Sequence, residues 1–540
     1  MVVKIIRVLG VCFLFVSSLC AQLTDSNLPI IIIETNQVIP DEPKITATMK
    51  IIDNGVGNRN QITDPPLGYE GFIGIEIRGA SSQFFPKKGY ALETRKEDGS
   101  NRNVELFGMP KENDWILHGP FSDKSLIRNA LAYKLAGEIM PYAPRTQFCE
   151  LMINGNYRGV YLFTEKIKID KGRVDIDKLR IDENSDDSLT GGYIVKIDKT
   201  AGGVTEGWTS SYAPMTGASQ RTYYQYHSPS PDKMTLNQRN YIRNFITDFE
   251  NTMDSENFAD NQNGFRAYIN SASFIDFILL NEMCKNVDAY RLSTYLYKDK
   301  NSIDPFLKAG PVWDFNLGFG NVDFCAGPSP EGWVMDYNSI CPQDGFLIQF
   351  WWPKLLKDEN FGKQIIERWH ELRTNEWSDN RIETCLNNLI GSLSESQVRN
   401  FNRWSVLGEY VWPNAFIGNT YPDEVDQLRN WLSDRLEWMD RSIEELNRYE
   451  APETDRSNPR IYPNPFSETL TFEIFGMESE QLKVEVFNQL GQLVFLEKKN
   501  ILTTGKKKII WTPASVSTEL YYYRIFLNEN ESDKGLIFRQ

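Results

Sequence analysis

NEMCKNVDAYRLSTYLYKDKNSIDPFLKAGPVWDFNLGFGN, residues 281–321, sets two acidic residues, Asp288 and Asp314, at the two ends of one strand–turn–strand excursion. Residues 293–298 read as a strand, 298–304 as a polar turn and 306–313 as the returning strand. Antiparallel neighbours lie about 5 Å apart, so a chain that leaves at Asp288 and comes back at Asp314 carries both carboxylates to one edge. Paired carboxylates on adjacent loops are what a divalent cation and a general base require. On this reading Asp288 is the base or the group that orients a nucleophile, and Asp314 is the metal ligand, with Asn286, Trp313 and Asn316 beside them. A single Asp at such a junction caps a turn without further purpose; the pair at both ends of a hairpin is what points to a site.

Working outward, the chain before this stretch is strand-rich. PIIIIETN, TATMKIIDN, FIGIEIRG and GYALETR alternate or run apolar between turn residues, which predicts a β lobe over about 28–198. One helix interrupts it: after Ser122 and Asp123, residues 124–140 carry Leu126, Ile127, Ala130, Leu131, Leu135 and Ile139 at helical spacing, and Pro141 ends them. Asn154-Gly155 between apolar runs predicts a two-residue hairpin turn. Residues 199–233 read as a long irregular connection, either a lid or a lobe linker. Helices then dominate 235–449, starting with an amphipathic one around Ile242 and a nearly all-apolar one ending near Met283. Further helices are expected at 346–356, 361–374, 379–402 and 422–449. These helices are expected to surround a single buried hairpin. A polar, proline-punctuated linker follows at 450–459, then short strands at regular spacing to the end, which predicts a small all-β sandwich. The fold class expected is therefore α+β, with a β-rich lobe, a helical lobe and a separate sandwich.

Composition narrows the chemistry. At 540 residues the chain exceeds one compact core. With 58 Lys and Arg against 73 Asp and Glu the net charge is −15, which argues against long-range attraction to nucleic acid or an anionic membrane. Only three histidines occur, His118, His227 and His370, and none in HExxH spacing; a histidine-built zinc site or a Ser/His/Asp triad is not expected. Residues 1–21 combine early cations, an apolar run and small residues before Gln22, the pattern of a signal peptide cleaved after Ala21. No later segment has the apolar length of a membrane span. Beyond the signal an odd set of cysteines remains, Cys149, Cys284, Cys325, Cys341 and Cys385, so at least one is free or bonds another chain. Cys325 and Cys341 flank a loop rich in Gly, Pro and Ser and are the disulfide candidates; Cys284, on an apolar helix, is expected to be a buried thiol.

Two motifs in the β lobe could serve a phosphate ligand. Arg78-Gly79-Ala80-Ser81-Ser82, with Lys87 and Lys88 shortly after, offers small residues for close backbone approach and cations on the next strand. An exposed basic turn has the same appearance, and no GxxxxGK[ST] occurs there. Glu165, in Tyr161-Leu-Phe-Thr-Glu165-Lys166, either holds a lysine or ends a strand in solvent.

IRGASSQFFPKKGYAL, DWILHGPFSDKSLIRNALAYKL, NGNYRGVYLFTEKIK, GGYIVKIDK, NVDAYRLSTYLYKD and GPVWDFNLGFGN, in that order, resemble the CotH kinase family over about residues 75–321, more loosely to 449. The resemblance implies a two-lobed protein-kinase-like domain over 22–449, with an N-lobe at about 28–198, a C-lobe at about 235–449, and ATP with Mg²⁺ or Mn²⁺ between them. It implies that Asp288 is the catalytic-loop aspartate, that Asp314, opening DFN, binds the metal with Asn316 beside it, and that Lys87 or Lys88, assisted by Arg78, contacts phosphate. Glu165 corresponds to a recurrent family acid. The family pattern is broken at two places: a kinase catalytic loop has Asn five residues past its aspartate where this chain has Ser293, and Lys196 replaces an acid. YPNPF, VFNQLGQLV and LYYYRIFLNENESDKGLIFRQ in residues 460–540 resemble the type A sorting domain of type IX secretion, which implies export to the cell surface or beyond. The function implied is transfer of the ATP γ-phosphate to Ser or Thr of a surface or secreted protein. The alternative is a catalytically silent binding or adhesion protein, compatible with aromatic-rich loops that would recognise glycan or protein.

Overall fold

The computed structural model describes residues 23–200, 206–448 and 459–539, the last apart from 477–478, 503–504, 514–519 and 529. The signal peptide expected at 1–21 and the linker expected at 450–459, all but its last residue, lie outside them. The chain divides into two compact units, Met1–Arg448 and Tyr449–Gln540.

The first unit begins as a closed barrel of strands Ile30–Glu34 (β1), Ile45–Ile52 (β2), Tyr69–Arg78 (β3), Gly89–Arg95 (β4), Asp114–His118 (β5), Thr146–Ile153 (β6) and Asn156–Glu165 (β7). Neighbours run β1-β2-β3-β4-β5-β7-β6, and a parallel pairing of β6 with β1 closes the ring. Strand alternation sends Ile31, Ile33, Met49, Ile73, Ile75, Trp115, Leu151 and Phe163 into the barrel. Phe148, Val160 and Leu162 point the other way, onto the helices. The β6–β7 turn is the Asn154-Gly155 pair, both residues left-handed (φ 50° and 69°) as a type I′ turn demands.

Between β5 and β6 runs helix Arg128–Gly137 (α1), shorter at its start than the expected 124–140. Asp123 accepts from the Arg128 backbone N–H at 2.9 Å and Leu126 turns left-handed (φ 67°), so the capping residue stands ahead of a turn and not of the helix itself.

Strands Tyr193–Ile197 (β8), Gly207–Thr209 (β9), Tyr223–Ser228 (β10), Thr294–Lys298 (β11) and Leu307–Ala309 (β12) form a second sheet in the order β9-β10-β8-β11-β12, all antiparallel. Three expectations are corrected here. The hairpin 293–313 is not alone among helices: β11 is an inner strand, and the supposedly irregular 199–233 contributes β9 and β10. The returning strand also stops at Ala309, because Gly310 is left-handed (φ 115°) and Pro311 has no N–H to continue the ladder.

Around this sheet pack helices Leu236–Asp254 (α2), Ser271–Cys284 (α3), Glu359–Thr374 (α4), Asp379–Ser392 (α5), Ser396–Arg403 (α6) and Tyr421–Ser442 (α7). The helix expected at 379–402 is broken into α5 and α6, and α7 ends in a 3₁₀ turn, Ile443–Leu446. α3 is buried from Phe274 to Cys284 apart from the half-buried Asp276; Asn270 caps its start on the Ser273 N–H, and Lys285 ends it left-handed (φ 41°). None of the helices among the described residues is long and apolar enough to cross a membrane.

The second unit stacks a three-stranded sheet (Arg460–Tyr462, Leu470–Gly476, Gly505–Trp511) and a four-stranded one (Leu493–Asn500, Gln481–Phe487, Leu520–Leu527, Asn530–Phe538). Its core is Leu470, Phe472, Leu482, Val484, Val486, Trp511 and Ile525.

Candidate active site

Asp288 stands on the turn that leaves α3, and Asp314 on the loop that leaves β12. The turn is built locally: the Asn286 carboxamide accepts the Asp288 N–H at 3.3 Å, and Leu292 N–H returns to the Asp288 carbonyl at 3.0 Å. Arg291, 3% exposed, donates to the Asp288 carboxylate at 2.9 Å and to Asp344 at 3.2 Å while its guanidinium lies over Tyr337. Asp288 therefore has one oxygen oriented by a buried cation.

Asp314 has a left-handed backbone (φ 64°), held from two sides. α1 presents Tyr133, whose hydroxyl accepts the Asp314 N–H at 3.0 Å, and Asn129, which accepts the Phe315 N–H at 2.7 Å. From the turn after α3, Asn286 donates to the Asp314 carbonyl at 3.3 Å. The two aspartates, apart in sequence, are thus tied through one carboxamide.

The charge of Asp288 bears on Asp314. Burial, then the neighbouring Asp288 charge, pushes the Asp314 acid up to about 6, against the pull of Arg78. Burial also raises Asp288, opposed by Arg291 and Lys199 and reinforced by Asp198. Arg78 reaches the site from the end of β3, its guanidinium 5.4 Å from the centre of the Trp313 ring.

The structure thus brings Asp288, Asp314 and Arg78 together, with Asn316 on the Asp314 loop, its carbonyl accepting from Asn321. The other three expected ATP ligands are engaged elsewhere. Lys87 is 1% exposed and donates to the Pro120 carbonyl and to Asn400 of α6; burial drives its ammonium down to about 7. Lys88 donates to the Gln83 carbonyl. Glu165 is fully buried between Arg145 (3.0 Å) and Arg173 (3.7 Å), so it holds arginines rather than a lysine. Cys325 and Cys341 form a disulfide, Cα atoms 5.7 Å apart.

Sequence reading missed Asp198 and Lys199, whose charges act on both aspartates. They follow β8, which lies beside β11 because Gly191 lets the chain run against Lys300: a Cβ there would come within 2.0 Å of the Lys300 nitrogen. The Gly-Gly pair of GGYIVKID was the signal, but its partner strand lies far along the chain. Asp344, whose partner Arg291 lies far along the chain, was missed for the same reason.

Carboxylate oxygens suit Mg²⁺ or Mn²⁺. Among the described residues no group of three or more His, Cys, Asp or Glu is gathered to hold an ion unaided. The donor set fits a cation that needs only one or two carboxylates and completes its shell with phosphate and water.

A family model described as CotH kinase protein matches residues 75–439, and one described as Secretion system C-terminal sorting domain matches 460–539. The second implies engagement with the type IX machinery and a surface or secreted location. No curated protein matches the chain. Among solved structures, dimeric latent PorU from Porphyromonas gingivalis is 22% identical over 15% of this chain and 9% of its own, with a TM-score of 0.14. Pseudomonas fluorescens alkylpurine DNA glycosylase AlkC is 7% identical over 38% of this chain and 63% of its own, with a TM-score of 0.13. The chain spans less than two thirds of either, and neither likeness bears on fold or function.

Proposed function

The chain belongs to the CotH kinase family, and from that premise we propose that it is an exported ATP-dependent protein kinase acting on Ser or Thr of a surface or secreted protein. The barrel is its N-lobe, the five-stranded sheet with its helices the C-lobe, and ATP lies between them. The observation that carries this reading is the pair Asp288 and Asp314 on adjoining loops, each raised by burial and by neighbouring negative charge.

Asp314, with Asn316 beside it, would hold Mg²⁺ or Mn²⁺. When bound, the cation neutralises the charge of the transferring phosphate. Arg78 and Lys199 supply the remaining positive charge beside the phosphates. Asp288, oriented by Arg291, accepts the proton of the acceptor hydroxyl as that oxygen attacks the γ-phosphorus and the bond to ADP breaks.

Purified protein with labelled ATP and Mg²⁺ or Mn²⁺ tests the proposal. Label transfer that disappears in Asp288→Ala and Asp314→Ala supports it; no nucleotide binding by calorimetry with either metal overturns it. The second outcome would favour a catalytically silent binding protein, a reading supported by the engagement of Lys87, Lys88 and Glu165 within the fold.

A further inference from the structure

Resting on the kinase reading, one required position is unfilled: the second-cation Asn expected five residues after Asp288 is Ser293. The strand register brings a carboxylate to the same place from another strand. β8 and β11 pair from Tyr193 opposite Lys298 to Ile197 opposite Thr294. Asp198 follows Ile197, and Ser293, left-handed (φ 46°), precedes Thr294, so the two residues flank the last pair of the ladder.

Asp198 lies just past β8, and the alternation of that strand carried one residue on gives it the face of Ile194 and Lys196, whose partners are Tyr297 and Tyr295. That face packs with Trp313, the residue before Asp314. The Lys199 N–H donates to one Asp198 oxygen at 2.8 Å; the other oxygen has only Lys196, at 3.5 Å, and the side chain is a quarter exposed. We propose that Asp198 is the second cation-holding carboxylate of this site, delivered across the sheet in place of the asparagine that the catalytic loop lacks.

Its charge bears on Asp288, Asp314 and Tyr295 alike, in keeping with that position beside Ser293. The contact with Lys196 is loose enough for a cation to displace, and a carboxylate binds a hard cation more strongly than the shorter, neutral Ser293 hydroxyl.

Full-length protein titrated with Mn²⁺ in the presence of a non-hydrolysable ATP analogue, with free Mn²⁺ followed by electron paramagnetic resonance, tests this without relying on turnover. Wild type is expected to take up two Mn²⁺ per chain. Asp198→Ala and Asp198→Asn are expected to lose the second, or to weaken it at least tenfold, with nucleotide binding retained. Ser293→Asn added to Asp198→Ala is expected to restore it, which a misfolded variant could not do. Two Mn²⁺ in Asp198→Ala at wild-type affinity overturns the assignment while leaving the kinase reading in place, as does a single Mn²⁺ in wild type. Failure of wild type to bind nucleotide or Mn²⁺ overturns both.

Discussion

Single residues here carry charges that the fold has moved far from their ordinary state. Glu250 of α2 is buried with Ser210 and Tyr224 donating to it, and burial raises its acid to about 7. Its folded acid holds a proton more tightly than the unfolded one, so the stabilisation is complete below the unfolded value and is lost as pH rises towards 7. The span corresponds to about 3 kcal/mol. Melting measured at pH 5 and pH 8 should show wild type losing stability relative to Glu250→Gln; parallel curves would refute this. Asp314, raised to about 6 by burial and Asp288, must lose its proton to ligate a cation. Under the kinase reading, Mn²⁺ affinity measured by titration falls roughly tenfold per pH unit below that point. Glu282 and Arg435 are both fully buried, the glutamate also accepting the Val334 and Met335 N–H groups. Glu282→Ala strands the guanidinium, and denaturant titration should show a loss of about 3–5 kcal/mol.

At the scale of elements, the segment closed by Cys325–Cys341 is joined to the turn that carries Asp288. Tyr337, inside it, donates to Asp344, and both contact Arg291, which orients Asp288. A cross-link spanning a sequence separation of 16 stabilises by about 3 kcal/mol through the unfolded chain. Cys325→Ser with Cys341→Ser should therefore lower the melting temperature, and under the kinase reading lower turnover as well. Equal melting in reduced and oxidised wild type would contradict the first expectation. The β6–β7 hairpin and the helices α3 and α7 were plain in the sequence, because a turn or an apolar periodicity needs only neighbours in the chain. The sheet was not: β9 and β10 are short and polar, and only β8, from another part of the chain, makes them strands.

Across the first unit, charged residues tie the barrel to the helical region. Lys87 of the β3–β4 connection donates to Asn400 of α6, Glu150 of β6 pairs with Arg399, and Arg59 pairs with Glu395 at 2.7 Å. Asn400→Leu leaves the Lys87 amine without its side-chain partner and should cost about 1.5–3 kcal/mol in denaturant titrations. Lys87→Met combined with it should recover much of that loss. The double variant also separates a joint from a ligand: with Lys87 placed as it is, nucleotide affinity measured by calorimetry should stay within about twofold of wild type. A loss of tenfold or more would return Lys87 to the phosphate site.

By itself the sequence determined the α+β class, the sandwich at the end, the buried helix α3 and the two aspartates, because each rests on local periodicity, turn chemistry or residue type. Residues 281–321 were enough to place Asp288 and Asp314 at one edge. Only the tertiary structure closed the barrel, enlarged the hairpin to five strands and decided which charges face those aspartates. Lys87 and Glu165, prominent in their motifs, are enclosed by α6 and by two arginines, whereas the charges of Asp198 and Lys199 bear on the aspartates. A side chain's partner is set by strand register and helix packing between distant segments, and a local motif carries no record of either.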